Sequence, residues 1–287
     1  ECLDSLAPLP AGAGPILLKI PKSHALLEYQ LHQIRPLMSP GDVLVAGAMV
    51  KHLHRSTLDL FEQIIGPVKT SLARKKARLA FAQLDPDLSV PAHPYPIQVD
   101  VPEYGFRVAN EANVLSREKL DFGPRFLLPH LPSAGGDQQI IDLGCGNGLL
   151  GLVAAQRQPQ AQVMFVDESF MAVASARQNA GQLVDGEARS HFQVTHCLDG
   201  VADQSADLVL NNPPFHQQHA VGGDIAWQMF RDAKRVLRQG GELYVVANRH
   251  LGYHLKLKRL FGACDLVVSN RKFVILKAVK NGGTTGK

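Results

Sequence analysis

Residues 139–148 read QIIDLGCGNG: a short apolar run, a carboxylate, then Gly144, Gly146 and Gly148 at alternate positions. The next ten residues, LLGLVAAQRQ, are apolar at helical spacing and stop before Pro159. Strand, glycine turn and helix follow in that order. Working outward, AQVMFVDES reads as a second strand and FMAVASARQNAGQL as a second helix. HFQVTHCLD and ADLVLNNPPF read as third and fourth strands. AWQMFRDAKRVLRQGG is an amphipathic helix that should stop at its Gly-Gly, and ELYVVANRH is a fifth strand. HLKLKRLFG is a basic helix, and CDLVVSNRKFVILKAVK closes with two strands. Strands alternating with helices predict an α/β fold: a parallel, Rossmann-like sheet with helices on both faces.

Upstream the pattern changes. Residues 1–84 predict a smaller α/β unit, with strands at ILLKI (16–20) and DVLVAGA (42–48) and helices at 24–38 and 56–65. SLARKKARLAFAQL (71–84) carries Arg74, Lys75, Lys76 and Arg78 on an apolar background and fits a strand or a helix. Prolines 86, 91, 94, 96 and 102 mark residues 85–96 as a linker. Residues 97–287 form the second domain. It opens on a hairpin at 97–110 that turns near Pro102–Gly105, with a loop and a helix over 114–132.

Composition narrows the function classes. The chain has 287 residues, is 45% hydrophobic and 20% charged, and so has enough apolar content to bury a core. No run of about 18 apolar residues or basic-then-apolar leader occurs, so no membrane partner is expected. Cys2, Cys145, Cys197 and Cys264 form no CxxC pair, which predicts a reducing cytoplasmic setting with neither a disulfide framework nor a thiolate metal site. His250 and His254 have helical metal spacing but no acidic third ligand beside them, so no metal is expected. Charge is uneven. Residues 101–226 hold 7 Lys/Arg against 14 Asp/Glu, whereas 227–287 hold 13 against 3. An acidic middle beside a basic end fits an anionic partner docking next to a site for a cationic ligand, and it also fits solvated helix faces.

The glycine turn carries the first chemistry. Glycines there let a ligand approach the backbone and the helix N-terminus. Asp167 ends the next strand, where a carboxylate can accept both hydroxyls of a ribose. A dinucleotide would use the same parts. However, the spacing is G-x-G-x-G, and Asp142 sits where it would repel a pyrophosphate. S-adenosylmethionine carries an ammonium, a sulfonium, a ribose and an adenine, and no phosphate, so it matches the charge pattern.

Asn212-Pro213-Pro214-Phe215 carries the second. The fourth strand should lie beside the glycine strand and end near the donor. A planar exocyclic amine is a poor nucleophile because its lone pair is delocalised into the ring. The Asn212 side-chain oxygen and the Pro213 carbonyl can each accept one N–H and hold that lone pair toward a methyl group. Phe215 can stack on a base that has left its helix. His216, Gln217 and Gln218 either line that pocket or face solvent.

With NNPPFHQQHA, VDESFMAVASARQNA and GGELYVVANRHLGYHLKLKRLFG, residues 139–280 resemble class I S-adenosylmethionine-dependent methyltransferases with an N-P-P-[YF] motif. They are more narrowly similar to bacterial ribosomal RNA guanine-N2 methyltransferases, closer to the large-subunit enzymes than to the small-subunit ones. VLVAGAMVKHLHRSTLDLFEQIIGP and TSLARKKARLAF resemble part of that family's amino-terminal domain, a degenerate methyltransferase-like unit without a cofactor site. Here that unit is short and the chain begins with Glu1, so an N-terminal piece is expected to be missing. The resemblance implies a donor loop of Asp142, Gly144, Cys145, Gly146 and Asn147 and a ribose-binding strand end at Asp167 and Glu168. It further implies an adenine contact at Cys197 and Leu198, and catalysis by Asn212, Pro213, Pro214 and Phe215. REKLDFG (117–123) matches a loop that approaches the donor.

The leading expectation is methylation of guanine N2 in large-subunit ribosomal RNA, in a loop or disrupted helix and preferentially on protein-free RNA, with no obligatory protein partner. The alternatives are a small-subunit RNA enzyme, an NPPY-type enzyme acting on glutamine or adenine N6, and an RNA-binding role for residues 1–84.

Overall fold

The computed structural model describes residues 2–10, 15–114, 122–132, 138–214 and 221–281, with backbone only at 221–224. The chain divides into two units, Glu1–Tyr95 and Pro96–Lys287.

In the first unit, β1 (Leu17–Lys19), β2 (Val43–Met49), β3 (Val68–Thr70) and β4 (Ala77–Gln83) form one sheet in the order β1-β2-β4-β3. β1 runs parallel to β2, and the other pairs are antiparallel. Helices α1 (His24–Ile34) and α2 (Arg55–Ile64) bury Leu27, Leu31, Phe61 and Ile64 with Leu44, Ala46, Ala80 and Ala82 of the sheet. Within the ambiguous segment 71–84, residues 77–83 form the strand β4. Ala80 and Ala82 are buried while Leu79, Phe81 and Gln83 are exposed, the alternation of a sheet with one covered face. Lys75 and Lys76 make the turn into β4, both at positive φ (48° and 64°). The proline-rich segment read as a linker lies with this unit. Tyr95 donates its hydroxyl to Glu28 at 2.7 Å, and His93 sets its ring edgewise to Tyr29 and His32.

The second unit opens with the hairpin of β5 (Ile97–Val101) and β6 (Phe106–Asn110) and a short α3 (Phe122–Leu127). Then come β7 (Gln139–Leu143), α4 (Leu149–Arg157), β8 (Gln162–Asp167), α5 (Phe170–Ala180), β9 (Ser190–Val194), β10 (Ala206–Asn211), α6 (Val221–Val236), β11 (Leu237–Asn248), α7 (Tyr253–Phe261), β12 (Asp265–Ser269) and β13 (Phe273–Val279). The seven strands from β7 to β13 form a sheet in the order β12-β13-β11-β10-β7-β8-β9. One core, with Ile140, Leu152, Phe165, Ala176 and Leu210, fills one face. A second, with Leu143, Val209, Phe230, Val245 and Leu257, fills the other.

Two sequence expectations are corrected. The sheet is mixed: β7 to β11 are parallel, but β13 runs antiparallel to both β11 and β12. Only Asn270, Arg271 and Lys272 join β12 to β13, too short a link for a crossover. Asn270 Oδ1 closes this turn by accepting the N–H of Lys272 (2.8 Å) and of Phe273 (2.7 Å). The sixth helix ends at Val236, before its Gly-Gly. Lys280 donates its ammonium to the carbonyls of Arg235 (3.2 Å) and Leu237 (2.6 Å), satisfying the helix end from a distant strand. Gly240 and Gly241 exchange backbone bonds with Lys280 instead.

β7 and β10 are neighbours from which the chain winds outward in opposite directions, so their carboxyl ends meet at the topological switch point where such sheets bind ligands.

Candidate active site

The glycine turn lies on that switch point. Gly144, Gly146 and Gly148 all have positive φ (72°, 55° and 83°), a region that L side chains avoid. The N–H groups of Gly144 and Cys145 both donate to the Val166 carbonyl, and the N–H of Gly146 donates to Asp167 Oδ2 at 3.1 Å. A Cβ on Gly148 would lie 2.9 Å from that of Ala176, so this glycine lets α5 pack against the loop. A Cβ on Gly146 would meet nothing within 4 Å, so this one faces open space where a ligand can approach the backbone.

Asp142 lies beneath the loop. It is 1% exposed and accepts the Gly151 N–H through Oδ2 at 2.8 Å, pinning the start of α4, while its Oδ1 has no partner among the described residues. Burial pushes its carboxyl up to about 7, against the pull of the Gly151 amide and with added repulsion from Asp167. Asp142 lines neither cavity of the site, so the direct meeting with a ligand ammonium expected from sequence is not what the geometry sets up.

Two cavities open above the strand ends and share Gly144, Asp167, Glu168 and Asn212 in their walls. The smaller, about 230 Å³, is closed by Val99, Val108, Asn110, Asn113 and Val114 of the hairpin region. The larger, about 600 Å³, runs from Thr195, His196 and Cys197 past Asn212, Pro213 and Pro214 to Asn248, Lys272, Phe273 and Phe122.

Asp167 uses one oxygen on Gly146 and the other on the Ser169 N–H (3.0 Å), and each oxygen keeps capacity to accept a hydroxyl. Burial raises its pKa, opposed by these amide bonds. Glu168 is exposed, with His196 4.0 Å away. Cys197 lines the larger cavity at positive φ (48°). Burial, then Asp232, Asp199 and Glu168, push its thiol up to about 11, which favours the protonated form. Leu198 is different. Its side chain is in the core and its carbonyl accepts from Arg235, so it is absent from both cavity walls.

Asn211 is wholly buried and latches the two central strands, donating Nδ2 to the Leu143 carbonyl at 2.9 Å. The alternation of the strand then turns Asn212 toward the cavities, where its Oδ1 is buried without a partner among the described residues. Pro213 is buried beside it. Phe215, His216, Gln217 and Gln218 lie outside the described residues, as do 117–121 of the REKLDFG loop. Phe122, at that loop's end, is exposed on the larger cavity.

Sequence reasoning missed the clamp on the hairpin. Gln182 bonds the Arg107 N–H and carbonyl (each 3.0 Å), Asn179 bonds those of Ala109 (2.7 and 2.9 Å), and Ser175 accepts the Glu111 N–H (3.0 Å). One face of α5 and the turn after it thus replace a partner strand for alternate residues of β6. Asn147 Nδ2 reaches Asn110 Oδ1 at 2.9 Å, tying the hairpin to the glycine loop. The missed signal was three polar residues at helical spacing, 175, 179 and 182, on one face of the helix and the turn after it. Among the described residues no group of His, Cys, Asp and Glu could hold a metal ion, and no helix is long and apolar enough to cross a membrane.

A cavity wall with Asp167 and Glu168 beside an open glycine fits S-adenosylmethionine, and the sheet order is that of the class I methyltransferases. The methyltransferase small domain family matches residues 105–277, and the RLMG N-terminal domain family matches residues 1–86. The chain is 52% identical over 284 residues to ribosomal RNA large subunit methyltransferase G of Streptomyces coelicolor, covering 97% of this chain and 75% of that protein. It is 50% identical to the enzyme of that name from Aeromonas salmonicida, with 96% and 74% covered. A solved structure, a Thermus thermophilus 16S rRNA N2 G1207 methyltransferase with AdoMet and guanosine, superposes with a TM-score of 0.77. The superposition covers 94% of this chain and 75% of that one at 23% identity, and it shows a shared fold.

The molecule is thus an S-adenosylmethionine-dependent class I methyltransferase. The chain belongs to the ribosomal RNA large subunit methyltransferase G family.

Proposed function

We propose that the protein methylates the exocyclic N2 of a guanine in large-subunit ribosomal RNA. The observation that carries this reading is the buried Oδ1 of Asn212, unpartnered among the described residues and set in the wall shared by both cavities. When bound, S-adenosylmethionine supplies a methyl group on a positively charged sulfur, an electrophile that needs no metal. Asp167 orients the ribose, and the Gly144–Gly148 backbone lets the rest of the donor lie close. Asn212 Oδ1 and the Pro213 carbonyl each accept one N–H of the entering amine. Two such bonds pull its lone pair out of conjugation and aim it at the methyl carbon. As the N–C bond forms and the S–C bond breaks, the nitrogen gains positive charge, which the two acceptors stabilise until one proton leaves to solvent. Catalysis rests on placement, so no group of shifted pKa is required as a base.

RNA fits the rim. Arg249, His250, Arg271 and Lys272 are exposed beside the strand ends that line the larger cavity. In the first unit, Arg74, Lys75 and Lys76 are exposed at the β3–β4 turn. A paired guanine amine is engaged within its duplex, so the target is an unstacked base and protein-free RNA is preferred.

The test is to incubate separated, unmodified ribosomal RNAs with the enzyme and labelled donor, then digest them to nucleosides. N2-methylguanosine from the large-subunit RNA is the expected product. N6-methyladenosine, or label confined to the small-subunit RNA, overturns the assignment.

A further inference from the structure

Asn248 ends β11 in the wall of the larger cavity, and among the described residues its side-chain oxygen is buried without a partner, as is that of Asn212. The two side chains share one face of the sheet. Leu208 and Leu210 of β10 join the same core as Tyr244 and Val246 of β11, and alternation carries that face to Asn212 and Asn248. The register pairs Leu210 with Tyr244, so Asn248 stands two residues beyond the position opposite Asn212. Two steps along one strand and one step across set their backbones about 8 Å apart. Two asparagine side chains converging across that gap can meet the edge of one purine.

We propose that Asn248 is a specificity-determining residue: its Oδ1 accepts the ring N1–H of the target guanine while Asn212 holds the N2 amine. The proposal rests on the guanine-N2 reading above and supplies its means of choosing the base. Guanine presents N2–H and N1–H side by side and then the O6 acceptor. A carboxamide presents an acceptor beside a donor, so Asn248 Nδ2 is left for O6. Adenine carries a lone pair at N1, which would face the Asn248 oxygen. Turning the amide over pairs that lone pair but leaves the oxygen without a donor.

Of the other acceptors in the wall, Asp167 belongs to the donor's ribose on the reading above. Thr195 bonds the Asp199 carbonyl, and Glu168 lies toward His196 on the β8–β9 side. The Lys272 ammonium sits over the rings of Phe122 (5.3 Å) and Phe273 (5.2 Å). Phe273 is paired directly across from Asn248 on β13 and gives this end of the cavity a flat apolar side.

The experiment uses the shortest RNA that the wild type methylates, made with guanosine or 2-aminopurine riboside at the methylated position. 2-Aminopurine keeps the 2-amine but has no N1–H, and it carries C–H in place of the O6 carbonyl, so neither orientation of the Asn248 amide is fully paired. The wild type should favour guanosine in kcat/KM by roughly 10- to 100-fold, the cost of a mispaired polar edge. Asn248→Ala should lose that preference by slowing on guanosine while its rate on 2-aminopurine is unchanged. Asn248→Asp, which keeps the acceptor, should retain part of the preference. Equal slowing on both bases, as from a structural defect, overturns the proposal, and so does an unchanged preference in Asn248→Ala. If the wild type yields no N2-methylated product on guanosine, the functional reading itself falls. An N2 product with base-independent variants removes Asn248 alone.

Discussion

Asn179 holds Asn147 from the neighbouring helix. Its Nδ2 donates to the Asn147 carbonyl at 2.9 Å while the same amide bonds the N–H and carbonyl of Ala109. One buried side chain therefore ties the glycine loop to the hairpin that closes the smaller cavity. Asn179→Ala leaves three backbone groups without their partner. It should lower unfolding stability by roughly 2–4 kcal/mol and weaken donor binding as well. Urea unfolding and calorimetry check this, and a variant matching the wild type in both would remove Asn179 from the support of the site.

Asp167→Ala should weaken S-adenosylmethionine binding by roughly 1.5–3 kcal/mol, since on the proposed reading it takes a charged acceptor from the ribose. It also releases the Gly146 N–H. Calorimetry showing unchanged affinity would take Asp167 out of the donor site.

Asp142 makes stability depend on pH. Its carboxyl is raised in the folded protein to about 7, above its unfolded value. The folded state therefore holds a proton that the unfolded state has released, and stability falls as pH rises through the window from about 4 to about 7. Asp167 is also raised and adds slope of the same sign. Asp142→Asn should flatten the fall in urea midpoint of the ligand-free protein between pH 5 and 8. An identical slope in wild type and variant would show that Asp142 is not the group responsible.

The residues around the β3–β4 turn should matter for RNA rather than for the donor. Replacing Arg74, Lys75, Lys76 and Arg78 with alanine should reduce the salt dependence of RNA binding, by about one unit of slope for each phosphate no longer neutralised. Donor affinity should not change. An unaltered salt slope would mean that these side chains only solvate the sheet.

The parts of the site legible in the sequence are those built from consecutive residues. A glycine turn between a strand and a helix, and Asn-Pro-Pro after a strand, each state their geometry locally. Parallel order then brings them together, because β7 and β10 are neighbours. Asn110, Asn179, Asn248 and Phe273 could not be read this way. Each is an ordinary residue in its own segment and gains a role from a partner 25 or more positions away. The ends of elements failed for the same reason. Lys280 stops α6 from another strand, and nothing near Gly240 signals it. Leu198 reads as part of a strand end facing the ligand, yet the backbone turns through Cys197 at positive φ and carries it into the core.

The central claim is that Asn212 activates the entering amine by accepting its N–H. Single-turnover methylation of ribosomal RNA by Asn212→Ala, with donor affinity measured alongside, tests this most directly. The expected result is donor binding close to wild type and a methyl-transfer rate lower by roughly 100-fold or more, the usual cost of one preorganised hydrogen-bonding group. Methyl transfer at the wild-type rate in that variant would contradict the mechanism.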